Sequence, residues 1–168
     1  MKGNGTSNAG EPARAPLPSE TYPSHRVLVA EDDDFIRQFD TAVLLHSGYE
    51  VDAAADGAAA WQALTTNSYD LLITDNDMPK VSGIELLKKL RAARMALPVI
   101  MATGTSPEEE FTRQPWLKPA ATLLKPFTPE EMLRTVKEVL RAADSHCAQP
   151  EPLPGRSNQP FSEVVPLK

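Results

Sequence analysis

Residues 26–34 read Arg26-Val27-Leu28-Val29-Ala30-Glu31-Asp32-Asp33-Asp34. A short apolar run with two β-branched members breaks abruptly into consecutive acids. Such a run suits a strand covered on both faces, and strands of that kind belong to parallel sheets flanked by helices. The pattern recurs downstream. Tyr49–Ala54 is a second strand candidate. Tyr69-Asp70-Leu71-Leu72-Ile73-Thr74 ends at Asp75, Pro98-Val99-Ile100-Met101-Ala102 at Thr103-Gly104, and Ala121-Thr122-Leu123-Leu124 at Lys125-Pro126.

Helical signals fill the intervals. Phe35, Ile36, Phe39, Val43 and His46 recur at helical spacing and stop at Ser47-Gly48. Asp56-Gly57 opens an Ala-rich helix through Trp61, read as a core residue, and Leu64. Ser82-Gly83-Ile84-Glu85, Ser106-Pro107-Glu108-Glu109 and Thr128-Pro129-Glu130-Glu131 each have the form of a capping box. The second box, with Pro107 expected at the first helical position, opens a helix kept short by Pro115 and Pro119. The third opens a helix whose apolar face is Met132, Leu133, Val136, Val139, Leu140 and Ala143. Five β-then-α units predict an α/β, doubly wound parallel sheet.

Composition sets the limits of the folded unit. The chain has 168 residues, 16 prolines, one cysteine and a net charge of -6. Residues 1–24 and 145–168 together carry nine of the prolines, and each segment is neutral. Too little apolar surface is available there to offset ordering, so both are expected to be disordered tails around a domain at 25–144. All of the negative charge falls on that domain, which argues against direct nucleic-acid binding. Cys147 cannot close an internal disulfide, and the three histidines show no ligand spacing. No apolar run is long enough to span a membrane and the N-terminus lacks a secretory pattern, so the expected compartment is the cytoplasm.

In a doubly wound sheet, ligands bind outside the carboxyl ends of the strands. The residues there are Glu31, Asp32, Asp75, Thr103 and Lys125. Crowded carboxylates repel unless a cation is shared among them. An oxygen cluster of this kind suits Mg2+, and a hydroxyl and an ammonium beside it suit phosphoryl oxygens. The set reads as a Mg2+-assisted phosphoryl site with an aspartate as nucleophile. Plainer roles compete at single positions: Asp33 or Asp34 as a helix cap, Asp75 or Thr103-Gly104 as turn residues, Lys125 as a surface lysine.

Val27-Leu28-Val29-Ala30-Glu31-Asp32, Asp75 with Met78-Pro79 and Gly83, Thr103-Gly104, and Lys125-Pro126-Phe127 together resemble the receiver domain of two-component response regulators. Each motif alone is common; all of them, in order at successive strand ends, are not. The resemblance covers roughly residues 26–143. It implies a flavodoxin-like receiver fold, with five strands in the order 2-1-3-4-5 and five helices. It also implies that Asp75 is the phosphoacceptor, Asp32 a direct Mg2+ ligand, Glu31 a ligand through water, and the Asp77 backbone carbonyl a further ligand. Thr103 and Lys125 would bind phosphoryl oxygens, and Lys125–Pro126 would be cis. The implied donor is a phosphohistidine on a sensor histidine kinase or histidine phosphotransfer protein. The implied output is a change of shape that binds an unidentified downstream protein, with no catalysis beyond the domain's own phosphorylation and dephosphorylation.

Two departures stand out. Many receivers carry an aromatic switch three positions before the lysine; here that position is Thr122. The segment 106–119 should form a truncated, partly irregular fourth helix. With only a short Pro-rich segment after the last helix, a stand-alone receiver without an output domain is expected. The competing function is a haloacid-dehalogenase-type Mg2+-dependent phosphatase, which would use Asp75 and Asp77 with Thr103 and Lys125. Its nucleophile usually lies on the first strand, whereas here two β-α units precede Asp75.

Overall fold

Val27 and Val29 alternate with Leu28 and Ala30 along the first strand, so successive side chains enter opposite faces of the sheet. In the computed structural model, which describes residues 25–105 and 107–147, each face has its own core. Leu28, Leu72, Met101, Leu86, Leu87 and Leu90 pack on one side. Val27, Val29, Ile73, Ile100, Leu44, Met132 and Val136 pack on the other.

The elements run β1 (Arg26–Ala30), α1 (Asp34–His46), β2 (Glu50–Ala54), α2 (Gly57–Thr66), β3 (Leu71–Asp75), α3 (Gly83–Ala92), β4 (Val99–Thr103), α4 (Glu108–Arg113), a 3-10 turn (Pro115–Leu117), β5 (Ala121–Leu124) and α5 (Pro129–Cys147). All strand pairs are parallel, in the order β2-β1-β3-β4-β5. This is the doubly wound order expected.

Register places the site. Ala30 pairs with both Ala54 and Thr74, Asp75 with Ala102, and Thr103 with Leu124. The residues at or just after these positions, Glu31, Asp75, Thr103 and Lys125, therefore share the carboxyl edge of the sheet. Asp75 and Thr103 are the last residues of their strands rather than the first beyond them.

The helix starts follow local chemistry. Asp33 caps α1 by accepting from the Phe35 and Ile36 N–H groups at 2.9 and 3.0 Å. Asp56 caps α2, accepting from the Ala59 N–H at 2.8 Å. The box at Ser82 and Glu85 is complete, and so is the reciprocal pair of Thr128 and Glu131.

Four expectations need correction. The periodic Phe35, Phe39 and His46 do not form the buried face of α1: Phe35 is 80% and Phe39 47% exposed, His46 is exposed, and the helix instead buries Asp40 and Leu44. The N-cap of α4 is Pro107 and makes no side-chain cap bond; Ser106 lies outside the described residues. Trp61 is half-buried against the core, with the Lys89 ammonium 5.5 Å above its ring. The last helix continues to Cys147, past the expected boundary at 144. Otherwise the expected tails at 1–24 and 145–168 lie outside the described residues. The fourth helix is short, as expected: six residues, then the 3-10 turn at Pro115.

Candidate functional site

Glu31 follows β1 and is held by its own backbone, whose N–H donates to the Ala54 carbonyl at 3.1 Å. Its side chain is buried, at 3% exposure. Asp32, one residue on, is exposed. Asp75 ends β3 and is 7% exposed. Carboxylate oxygens of Glu31, Asp32 and Asp75 lie within 4.8 Å of one another. Three acids at that separation are unfavourable unless positive charge is supplied.

Lys125 supplies part of it. Its Nζ donates to Glu31 Oε2 at 2.7 Å and lies 3.4 Å from Asp75 Oδ1. Burial pushes the Glu31 carboxyl up from its ordinary range, and the Lys125 hydrogen bond and charge oppose that rise. Burial pushes the Lys125 ammonium down, but the hydrogen bonds and charges of Glu31 and Asp75 outweigh it and hold Lys125 above its ordinary value. The Lys125–Pro126 bond is cis.

Asp75 is fixed from its backbone outward. The Asn76 N–H donates to Asp75 Oδ1 at 2.8 Å, and the Thr74 hydroxyl donates to the Asp75 carbonyl at 2.9 Å. A Cβ on Gly83 would lie 2.3 Å from that same carbonyl oxygen, so the first turn of α3 closes on the end of β3 only because residue 83 has no side chain. Asn76 ties the turn carrying Asp77 to α3: its carbonyl accepts from the Gly83 N–H at 3.0 Å and its Oδ1 from the Ile84 N–H at 3.3 Å.

Thr103 is fully buried, and its hydroxyl donates to the Thr105 carbonyl at 3.0 Å. The hydroxyl is therefore occupied within its own loop. The backbone joins the two phosphoryl-binding candidates, with the Lys125 N–H donating to the Thr103 carbonyl at 2.9 Å. Thr122 is exposed on β5.

Two residues escaped the sequence reading. Arg37 Nη1 donates to the carbonyls of Glu31 and Asp32 at 2.7 and 3.2 Å, and its other arm pairs with Asp34. It fastens the acidic loop to α1. Its position one helical turn past the acids was the available signal. Asp40 is 4% exposed. Burial, then the charge of Glu31, raises its pKa to about 6, with Lys125 opposing. Nothing in a hydrophobic periodicity points to an acid on a buried face.

The residues present fit a hard divalent cation. They offer oxygen donors only, at least one of them exposed, and their mutual repulsion is only partly offset by one lysine.

The comparisons with known proteins agree with this geometry. The response regulator receiver domain family matches residues 27–137. The alkaline phosphatase synthesis transcriptional regulatory protein PhoP of Bacillus subtilis is 35% identical over 121 residues, covering 71% of this chain and 50% of that protein. Regulatory protein VanRB of Enterococcus faecalis is 36% identical, covering 70% and 53%. The chain thus spans about half the length of the curated relatives it matches. Among solved structures, a CheY-like receiver domain protein of Methanospirillum hungatei superposes with a TM-score of 0.68 at 28% identity, covering 73% of this chain and 98% of that one. The response regulator TrrA of Thermotoga maritima, solved in complex with Mg2+-BeF, does so with a TM-score of 0.61 at 29% identity, covering 68% and 98%. The phosphatase alternative is not favoured: Asp75 ends the third strand of a sheet whose order and strand-end residues are those of receivers. By fold, by strand-end residues and by sequence, the chain belongs to the response regulator receiver domain family.

Proposed function

We propose that this receiver accepts a phosphoryl group on Asp75. Receiver domains bind Mg2+ at an acidic pocket and are phosphorylated by histidine kinases; they are signalling domains rather than classical enzymes. The observation that carries the assignment is the convergence of Glu31, Asp32 and Asp75 oxygens within 4.8 Å beside the Lys125 ammonium. A carboxylate oxygen of Asp75 attacks the phosphorus of a phosphohistidine. The phosphorus–nitrogen bond breaks, the imidazole leaves, and an acyl phosphate forms.

Asp32 is the direct Mg2+ ligand in this reading, Glu31 acts through water, and Asp75 and the Asp77 backbone carbonyl complete the protein's share. When bound, Mg2+ neutralises charge that would otherwise repel an anionic donor. Lys125 then pairs with one phosphoryl oxygen and Thr103 donates to another, once its hydroxyl leaves the Thr105 carbonyl. Thr122 takes no part as a ring switch. The donor is a sensor histidine kinase or histidine phosphotransfer protein, and the output is contact with a downstream protein. A cytoplasmic receiver domain with no direct nucleic-acid contact of its own fits the acidic charge of residues 25–144. Among the described residues no helix is long and apolar enough to cross a membrane.

The test is incubation with Mg2+ and acetyl phosphate, followed by intact-mass analysis. One phosphoryl group should add, only with a divalent cation, and Asp75→Asn should abolish it. Undiminished labelling of Asp75→Asn would move the acceptor elsewhere.

A further inference from the structure

The turn after the phosphoacceptor strand is strained at one residue. Lys80 has φ +68°, and the Val81 N–H donates to the Pro79 carbonyl at 2.8 Å. A three-residue turn closed around a positive φ is the rarer, strained form of the γ-turn. Lysine has no glycine-like freedom to adopt it. Such strain persists only where the surroundings impose it.

Two contacts hold the turn against α2 here, one of them through a lysine whose side chain is 67% exposed. Lys80 Nζ donates to Asp56 Oδ2 at 2.6 Å. Asp56 is itself 8% exposed and fixed by capping α2, so the end of a flexible side chain is anchored to a helix start. Beside it, the Val81 carbonyl oxygen lies 2.1 Å from where a Cβ on Gly57 would be. The turn therefore rests directly on the first residue of α2. Pro79, where the strained turn begins, is two residues beyond Asp77.

We propose that Lys80 and Asp56 are positioning residues: their ion pair clasps to α2 the 76–82 turn that carries Asp77, whose backbone carbonyl is the further Mg2+ ligand proposed above. This rests on the metal site assigned above. Cation affinity then depends on a contact outside the pocket. Charge alone predicts the opposite sign, because removing a lysine near a cation site relieves repulsion and tightens binding.

The experiment compares the full chain with its Lys80→Gly and Lys80→Arg variants in three measurements: Mg2+ titration by calorimetry, thermal unfolding without metal, and amide hydrogen exchange of residues 76–82 without metal. Glycine removes the ammonium and also relaxes the positive φ, so metal-free unfolding should not shift downward. Mg2+ binding should nevertheless weaken about tenfold, exchange across 76–82 should quicken, and Lys80→Arg should restore both. Unchanged or tighter Mg2+ binding by Lys80→Gly overturns the proposal, as does a weakening matched by lost thermal stability. If the parent chain binds no Mg2+, the metal reading fails instead. Exchange then decides the clasp alone: unaltered protection of 76–82 in Lys80→Gly would sink it.

Discussion

Lys125 donates to Glu31 across 94 positions of sequence, at 2.7 Å, and covers a carboxylate that is only 3% exposed. The pair joins the ends of β1 and β5 over the pocket. Removing the ammonium leaves Glu31 buried without its counter-charge, a loss on the order of 3 kcal/mol. Lys125→Ala should therefore unfold at lower temperature without metal. It should bind Mg2+ as well as the parent or slightly better, since a positive neighbour is gone. The rise in unfolding temperature on adding Mg2+ should be larger in the variant. A variant as stable as the parent, or one that loses Mg2+ binding, would contradict this account of the pair.

Asp32 and Glu31 divide by exposure. Asp32 is open to solvent, whereas Glu31 is committed to Lys125. Asp32→Asn should weaken Mg2+ binding more than Glu31→Gln, because in the proposed site it removes a direct ligand rather than a group acting through water. Calorimetric titration of the two variants ranks them, and the reverse order would exchange their roles.

Asp40 predicts a pH dependence. Its folded pKa, about 6, lies above the ordinary 3.8, so the folded state holds the proton more tightly than the unfolded state. The contribution of Asp40 to stability is present at low pH, is lost as pH rises from about 4 through 6, and stays lost above that. The rise corresponds to on the order of 3 kcal/mol. Asp40→Leu should flatten that part of the pH–stability curve and raise stability at pH 7.5. Glu31, displaced in the same direction, should leave a smaller residual slope. Denaturant unfolding across pH 4–8 measures both. An unchanged slope in Asp40→Leu would show that the acid is solvated.

Asp40 also marks where the sequence stopped being readable. Strand ends, caps and proline stops are local events, so the five units, the short α4 and the polar residues that stand at the strand ends could be read directly. Which face of α1 is buried is a tertiary matter. Phe35 and Phe39 supply the periodicity, but the helix is rotated so that Asp40 and Leu44 face the sheet. The Lys80–Asp56 contact was equally hidden, since nothing local links residues 24 positions apart.

Gly83 gives a steric prediction. A methyl group there meets the Asp75 carbonyl at 2.3 Å, with the Asn76 Cα at 3.0 Å, and both contacts are backbone that cannot rotate away. Gly83→Ala should cost about 1–3 kcal/mol and displace the Asp75 peptide, so phosphorylation by acetyl phosphate should fall further than stability alone explains. Normal labelling at a temperature where the variant is fully folded would refute the displacement.

Thr103 and Thr122 together predict a limited response to phosphorylation. The Thr103 hydroxyl donates to Thr105 at 3.0 Å, and the Thr105 N–H donates back at 3.3 Å, so reaching a phosphoryl oxygen means breaking a loop contact and reshaping residues 103–105. In receivers with an aromatic at the Thr122 position, that movement is coupled to a ring. Here Thr122 and Leu124, on the face of β5 opposite buried Leu123, are exposed, so no large side chain has to move. The change should stay at the strand ends and residues 103–119, where α4 is only six residues long. Amide NMR with and without beryllofluoride, as a stable phosphoryl mimic, reads it. Shifts confined to those residues in the parent and damped in Lys125→Ala are expected, because Lys125, the proposed phosphoryl partner, donates its backbone N–H to the Thr103 carbonyl. A rearrangement running the length of β5, or an undiminished response in Lys125→Ala, would mean that the signal travels by another route.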